Sequence, residues 1–104
     1  MLERIYAAAI WYKDLPLAKR NPFNINKGIV VEGHRHGDII KTVYNLLGKR
    51  TVQFGENSVG ETEQGFTTNL DRFVDRQQAM LIAKNANQIK GIAEHLELYS
   101  EDLW

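Results

Sequence analysis

The stretch Ile5-Tyr6-Ala7-Ala8-Ala9-Ile10-Trp11-Tyr12 is apolar on both alternating faces, and it constrains the fold more than any other part of the chain. A strand with one wet face alternates polar and apolar residues, whereas one without alternation needs cover on both sides. Ile5 to Tyr12 therefore suits a buried central strand, although Ala7, Ala8 and Ala9 are also compatible with the start of a helix. A chain of 104 residues holds one domain and one core, so that cover must come from nearby segments.

The rest of the chain reads as the parts of a small α+β domain. Gly28-Ile29-Val30-Val31-Glu32-Gly33 is a second strand between glycines, expected to pair antiparallel with the first. Ile39, Ile40, Val43, Leu46 and Leu47 fall at helical spacing, and Gly48 terminates that helix. Thr51-Val52-Gln53-Phe54 is a short strand candidate before a polar, acidic stretch. Gly65-Phe66-Thr67-Thr68, Asn69-Leu70-Asp71 and Arg72-Phe73-Val74 look like strand, turn and strand. Asp75 with Gln78 three residues later is a capping-box pattern for a second helix, whose inner stripe is Ala79, Ile82, Ala83, Ala86 and Ile89. The expected architecture is an antiparallel sheet carrying two main helices over residues 1–104, as a homo-oligomer. Both prolines, Pro16 and Pro22, lie in a loop excursion at 13–27. An excursion this long is often an interaction element.

Charge placement is the functional clue. Thirteen basic and thirteen acidic residues balance, which argues against a broad electrostatic grip on DNA. Yet both helices are entered through basic residues: Gly33-His34-Arg35-His36-Gly37-Asp38 before the first, and Arg72-Phe73-Val74-Asp75-Arg76 before the second. A helix N-terminus is partially positive and favours anions. Free backbone N–H groups beside Arg or His make a phosphate or carboxylate site. Phe66 and Phe73 stand near Arg72 and Arg76, and aromatic faces beside guanidinium groups hold a base and its phosphate together. Core packing is the more frequent fate of a phenylalanine, and surface solvation of an arginine. The binding reading thus needs one aromatic, Phe66 by preference, to face a pocket.

Other chemistry is less well supplied. His34-x-His36-x-Asp38 has the residue types of a metal site, but the only other histidine, His95, is far along the chain. A polar loop at a helix entrance accounts for the same residues. No nucleophile–base–orienter set, Gly-rich phosphate loop or paired-carboxylate signature is visible, so neither catalytic residues nor a cofactor is expected. The absence of cysteine excludes disulfides and thiolate chemistry and fits a cytoplasmic protein. No run reaches transmembrane length, and the opening residues lack the charged leader and cleavage region of a secretory signal. The acidic ending Leu98-Tyr99-Ser100-Glu101-Asp102-Leu103-Trp104 reads as a docked tail, because a tryptophan is costly to leave in water.

Several segments together resemble a known family. They are Ala8-Ala9-Ile10, Gly33-His34-Arg35-His36 before Asp38-Ile39-Ile40, Gln64-Gly65-Phe66-Thr67-Thr68, Arg72-Phe73-Val74-Asp75-Arg76, and the Leu98-Tyr99-Ser100-Glu101-Asp102-Leu103-Trp104 ending. They are similar to the anti-Thoeris sponges of phages, the first type of Thoeris anti-defence protein. The resemblance implies a non-enzymatic homo-oligomer that binds a cyclic ADP-ribose-type immune signal and keeps it from its effector. Some members also take cyclic oligonucleotide signals at separate sites. It further implies that Phe66 stacks on adenine, Arg72 or Arg76 holds the pyrophosphate, and Arg35 with His34 or His36 contacts ribose or phosphate. Two departures stand out: the excursion is longer than the family's tight hairpin, and Asn87 stands where a glycine is common. Rival readings are a small metal-dependent hydrolase built on His34, His36 and Asp38, and a structural or regulatory phage protein whose tail and loop bind another protein.

Overall fold

A computed structural model describes residues 1–15, 20–47, 60–90 and 95–104. The strands are β1 (Ile5–Tyr12), β2 (Ile29–Gly33), β3 (Thr62–Thr68) and β4 (Phe73–Asp75), and the helices are α1 (His36–Leu47) and α2 (Arg76–Asn85). One antiparallel sheet has the order β2-β1-β3-β4, so β1 is central as its composition demands. The fold is α+β, as expected. The Thr51–Phe54 strand candidate and the Gly48 terminator lie outside the described residues.

Alternation along β1 divides the core. Ala8, Ile10 and Tyr12 face α1 and α2, where they pack with Phe66, Ile39, Val43, Val74, Ala79, Met80, Ala83 and Leu98. Ala9 faces the other way, into a smaller cluster with Ile25 and Phe73, against which Trp11 and Val30 pack. This second cluster is the cover that the unbroken apolar run requires. Ile39 and Val43 of the α1 stripe are buried, but Leu46 is 78% exposed. Helical spacing sets the side on which a residue lies, not whether anything covers it.

The excursion supplies the second-face cover and secures both outer strands. Asn21 Oδ1 accepts the Val30 N–H (3.1 Å), and its Nδ2 donates to the Gly28 carbonyl (3.0 Å). Asn24 makes the same pair with Phe73 in β4, at 2.8 and 2.9 Å. Unpaired strand edges invite other chains, and side-chain amides that occupy them remove that invitation.

Two backbone features shape the ends of the sheet. Between Ile5 and Ala7 the β1–β3 register shifts: Ile5 is opposite Thr68 and Ala7 is opposite Thr67, leaving Tyr6 as the extra residue of a β-bulge. After α2, Asn87 takes φ +58. Its N–H donates to the Lys84 carbonyl and that of Gln88 to the Ala83 carbonyl, the pattern of a Schellman motif. Asparagine thus fills the left-handed position where glycine is usual, and the turn after α2 forms. Gln88 is thereby aimed at Ile5: its Oε1 accepts the Ile5 N–H (2.7 Å) and its Nε2 donates to the Ile5 carbonyl (2.9 Å).

Candidate functional site

Asp75 caps α2 as its sequence predicts: its carboxylate accepts the Gln78 N–H, and Gln78 returns a bond to the Asp75 N–H. The anion expected at this helix entrance is therefore the protein's own. The neighbouring cations also have partners within the protein. Arg76 donates to the Leu98 carbonyl (2.7 Å) and to the Gln64 side chain, and its guanidinium lies 4.7 Å from the centre of the Tyr99 ring. Burial holds Arg76 below its ordinary pKa, opposed by Tyr99, Glu97 and Glu101. At the α1 entrance, Arg35 donates to the main-chain oxygen of Trp104 (2.7 Å), and the His34 and Trp104 rings are 5.0 Å apart.

His36 joins the two entrances to the sheet. Its Nε2 is 2.7 Å from the Gly65 carbonyl, which only accepts, so Nε2 carries the hydrogen. Nδ1 is then free to accept from Ser100 Oγ at 3.4 Å. Burial pushes the His36 pKa down, the bond to Gly65 opposes this, and nearby Arg76 adds to the lowering. The charged form of the ring is thereby disfavoured. The two entrances do meet, and the segment from Leu98 to Trp104 lies across both.

Most side chains of the expected ligand set have other partners. Phe66 is 0% exposed and edge-on to His36, with ring centres 5.1 Å apart, so it offers no face to a base. Phe73 is also buried, edge-on to Trp11 at 5.9 Å. Arg72 grips both carboxylate oxygens of Glu3, each at 2.8 Å, and Thr68 Oγ donates to the same group at 2.7 Å. The bond from Arg72 holds the Glu3 carboxyl below its ordinary pKa against burial, with Thr68 helping. Among the described residues no three His, Cys, Asp or Glu side chains converge to hold a metal, and both His36 nitrogens already have partners.

Open space lies elsewhere. A cavity of about 480 Å³ is lined by Tyr6, Arg20, Glu32, Thr67, Thr68, Asn69 and Asp71. A second, of about 360 Å³, is lined by Tyr6, Ala7, Gly33, His34 and Trp104. Tyr6 belongs to both. As the bulge residue it is 70% exposed, whereas most of β1 is buried. The small residues Ala7 and Gly33 leave room between the Tyr6, His34 and Trp104 rings. Among the described residues, the Arg20 guanidinium has no hydrogen-bond or ion-pair partner, unlike Arg35, Arg72 and Arg76. A third cavity, of about 330 Å³, is lined by Arg76, Gln64 and Gln77 together with Glu63, Asp75 and Glu97, whose three carboxylates disfavour an anion there.

Of the sequence-predicted residues, His34 and Arg76 line open cavities, and the Arg76 guanidinium is already taken up by Leu98 and Gln64. Tyr6 and Arg20 were not marked by the sequence pattern. A bulge changes which way one side chain points without changing composition, and Arg20 carried no motif.

The description that fits this chain is Phage T4 y16D protein, which matches residues 4–104. The chain belongs to the phage T4 y16D protein family. The matched region takes in every residue of both Tyr6 cavities and the segment across the helix entrances. No curated protein and no solved structure matched the chain. Among the described residues, no helix is long and apolar enough to cross a membrane.

Proposed function

We propose that this phage protein captures a small nucleotide-derived signal and holds it unchanged. The observation that carries this reading is Tyr6: a bulge turns an aromatic ring out of a buried strand and sets it between two adjoining cavities. Bulges recur where a side chain must be re-aimed beside a functional site. Tyr6, with His34 and Trp104, offers faces for a base, and Arg20 offers an uncommitted guanidinium for a phosphate. The resemblance to the anti-Thoeris sponges supplies the ligand class, a cyclic ADP-ribose-type molecule. The site moves from the Phe66 and Arg76 region to Tyr6, His34, Trp104 and Arg20.

A sponge needs tight binding without turnover. It would act in the cytoplasm of the infected bacterium, where withholding the signal keeps the defence effector silent. Self-association would bury exposed apolar side chains such as Leu46 and Leu81. The test is to incubate the protein with cyclic ADP-ribose isomers, wash, denature by heat and identify what is released. Unchanged ligand supports a sponge. A cleaved product makes the protein an enzyme, and no retention of any isomer removes the reading.

A further inference from the structure

The larger cavity has a mixed charge. Among the described residues Arg20 is its one cation, and Glu32 and Asp71 add two carboxylates to its lining. Glu32 is held in place by Thr67, whose Oγ donates to one carboxylate oxygen at 2.7 Å, leaving the other without a protein donor among the described residues. Asp71 sits at φ +61. Its N–H donates to the Thr68 carbonyl and its own carbonyl accepts from Phe23, both fixing the main chain. Its carboxylate has no partner among the described residues.

A polyanion is poorly matched to such a wall. Free carboxylates accept hydrogen bonds from hydroxyl groups, and an acidic residue bonded to a ribose hydroxyl repels a phosphate at that position. We infer that Glu32 and Asp71 read the adjacent hydroxyls of a ribose while Arg20 holds its phosphate, so that the site selects a ribose whose hydroxyls are free. This rests on the nucleotide-binding reading of the cavity and goes further, to its selectivity. Cyclic oligonucleotides, in which a 2′ or 3′ hydroxyl of every sugar is esterified to phosphate, are disfavoured here.

Calorimetric titration of cyclic ADP-ribose and of its 2′-phosphate tests this directly. Wild-type protein is expected to bind the unphosphorylated ring at least about tenfold more tightly, as like charges a few ångströms apart near a surface require. Glu32→Gln and Asp71→Asn should narrow that gap, whereas Arg20→Ala should weaken both ligands alike. Thermal melting checks that each variant is folded. Equal affinities in the wild type, or a gap unchanged in both carboxylate variants, overturns the inference and leaves the nucleotide reading standing. If neither ring binds, both fall together.

Discussion

Arg76 and Leu98 bond to each other in both directions: the Arg76 guanidinium donates to the Leu98 carbonyl at 2.7 Å, and the Leu98 N–H donates to the Arg76 carbonyl at 2.9 Å. Leu98 is fully buried in the main core. This pair pins the C-terminal segment to the start of α2, and it gives Arg76 a structural role. Arg76→Ala leaves a carbonyl beside the core without its donor, and unmet bonds of this kind cost about 1–3 kcal/mol. Chemical denaturation should show a loss of about 2 kcal/mol. A wild-type midpoint would show that the contact is dispensable.

His36 should make the protein acid-sensitive. Its folded-state pKa lies below the ordinary value because burial disfavours the charged ring. The unfolded chain therefore takes up the proton first, near pH 6.5, and stability is lost as the pH falls from there through the folded value. Glu3 acts in the same direction but lower, below about 4.5, since Arg72 lowers its pKa. Melting temperature should thus begin to fall between pH 7 and 6, before the carboxylates titrate. His36→Gln should be less stable at pH 7 but lose that early decline.

Gly65 lies where two chain segments leave no room. A Cβ there would stand 2.2 Å from the Val74 carbonyl oxygen and 2.8 Å from Phe73 Cζ. The oxygen belongs to the neighbouring strand, so relief requires moving β4. Gly65→Ala is expected to destabilise by at least about 2 kcal/mol, within the range for overpacked cores. Denaturant titration measures it, and a change below experimental error would contradict the packing described.

Tyr12 offers a change in the opposite direction. Its ring is buried, and its hydroxyl has no hydrogen-bond partner among the described residues. A buried donor left unmet is a cost that removal relieves. Tyr12→Phe should raise stability by about 1 kcal/mol, read as a higher melting temperature. A drop would mean that the hydroxyl makes a bond in solution.

The fold was legible because its main signals are periodic or local. β1 was marked by apolar residues on both faces, α2 by Asp75 and Gln78, and the β3–β4 turn by Asn69-Leu70-Asp71. The tail was legible through Trp104, whose size demands cover. The site was much less so. Basic residues at two helix entrances pointed to an anion, but sequence could not say that the C-terminal segment would take up Arg35 and Arg76 through main-chain oxygens. Phe66 and Phe73 were legible as aromatics near arginines, yet only the strand pairing decides that both point into cores. Tyr6 depended on a register shift of one residue, and Arg20 on how the excursion folds back over the sheet.

We propose that Tyr6 forms the binding surface and that Phe66 and Arg76 do not. The most direct measurement is a calorimetric titration of cyclic ADP-ribose isomers into wild-type protein and Tyr6→Ala, with melting curves for both. Tyr6 is largely exposed, so Tyr6→Ala should melt within a few degrees of the wild type. An isomer that binds the wild type should lose affinity at least about tenfold in the variant, as removal of a stacked aromatic requires. Undiminished binding by folded Tyr6→Ala, or no binding of any isomer by the wild type, would contradict the account.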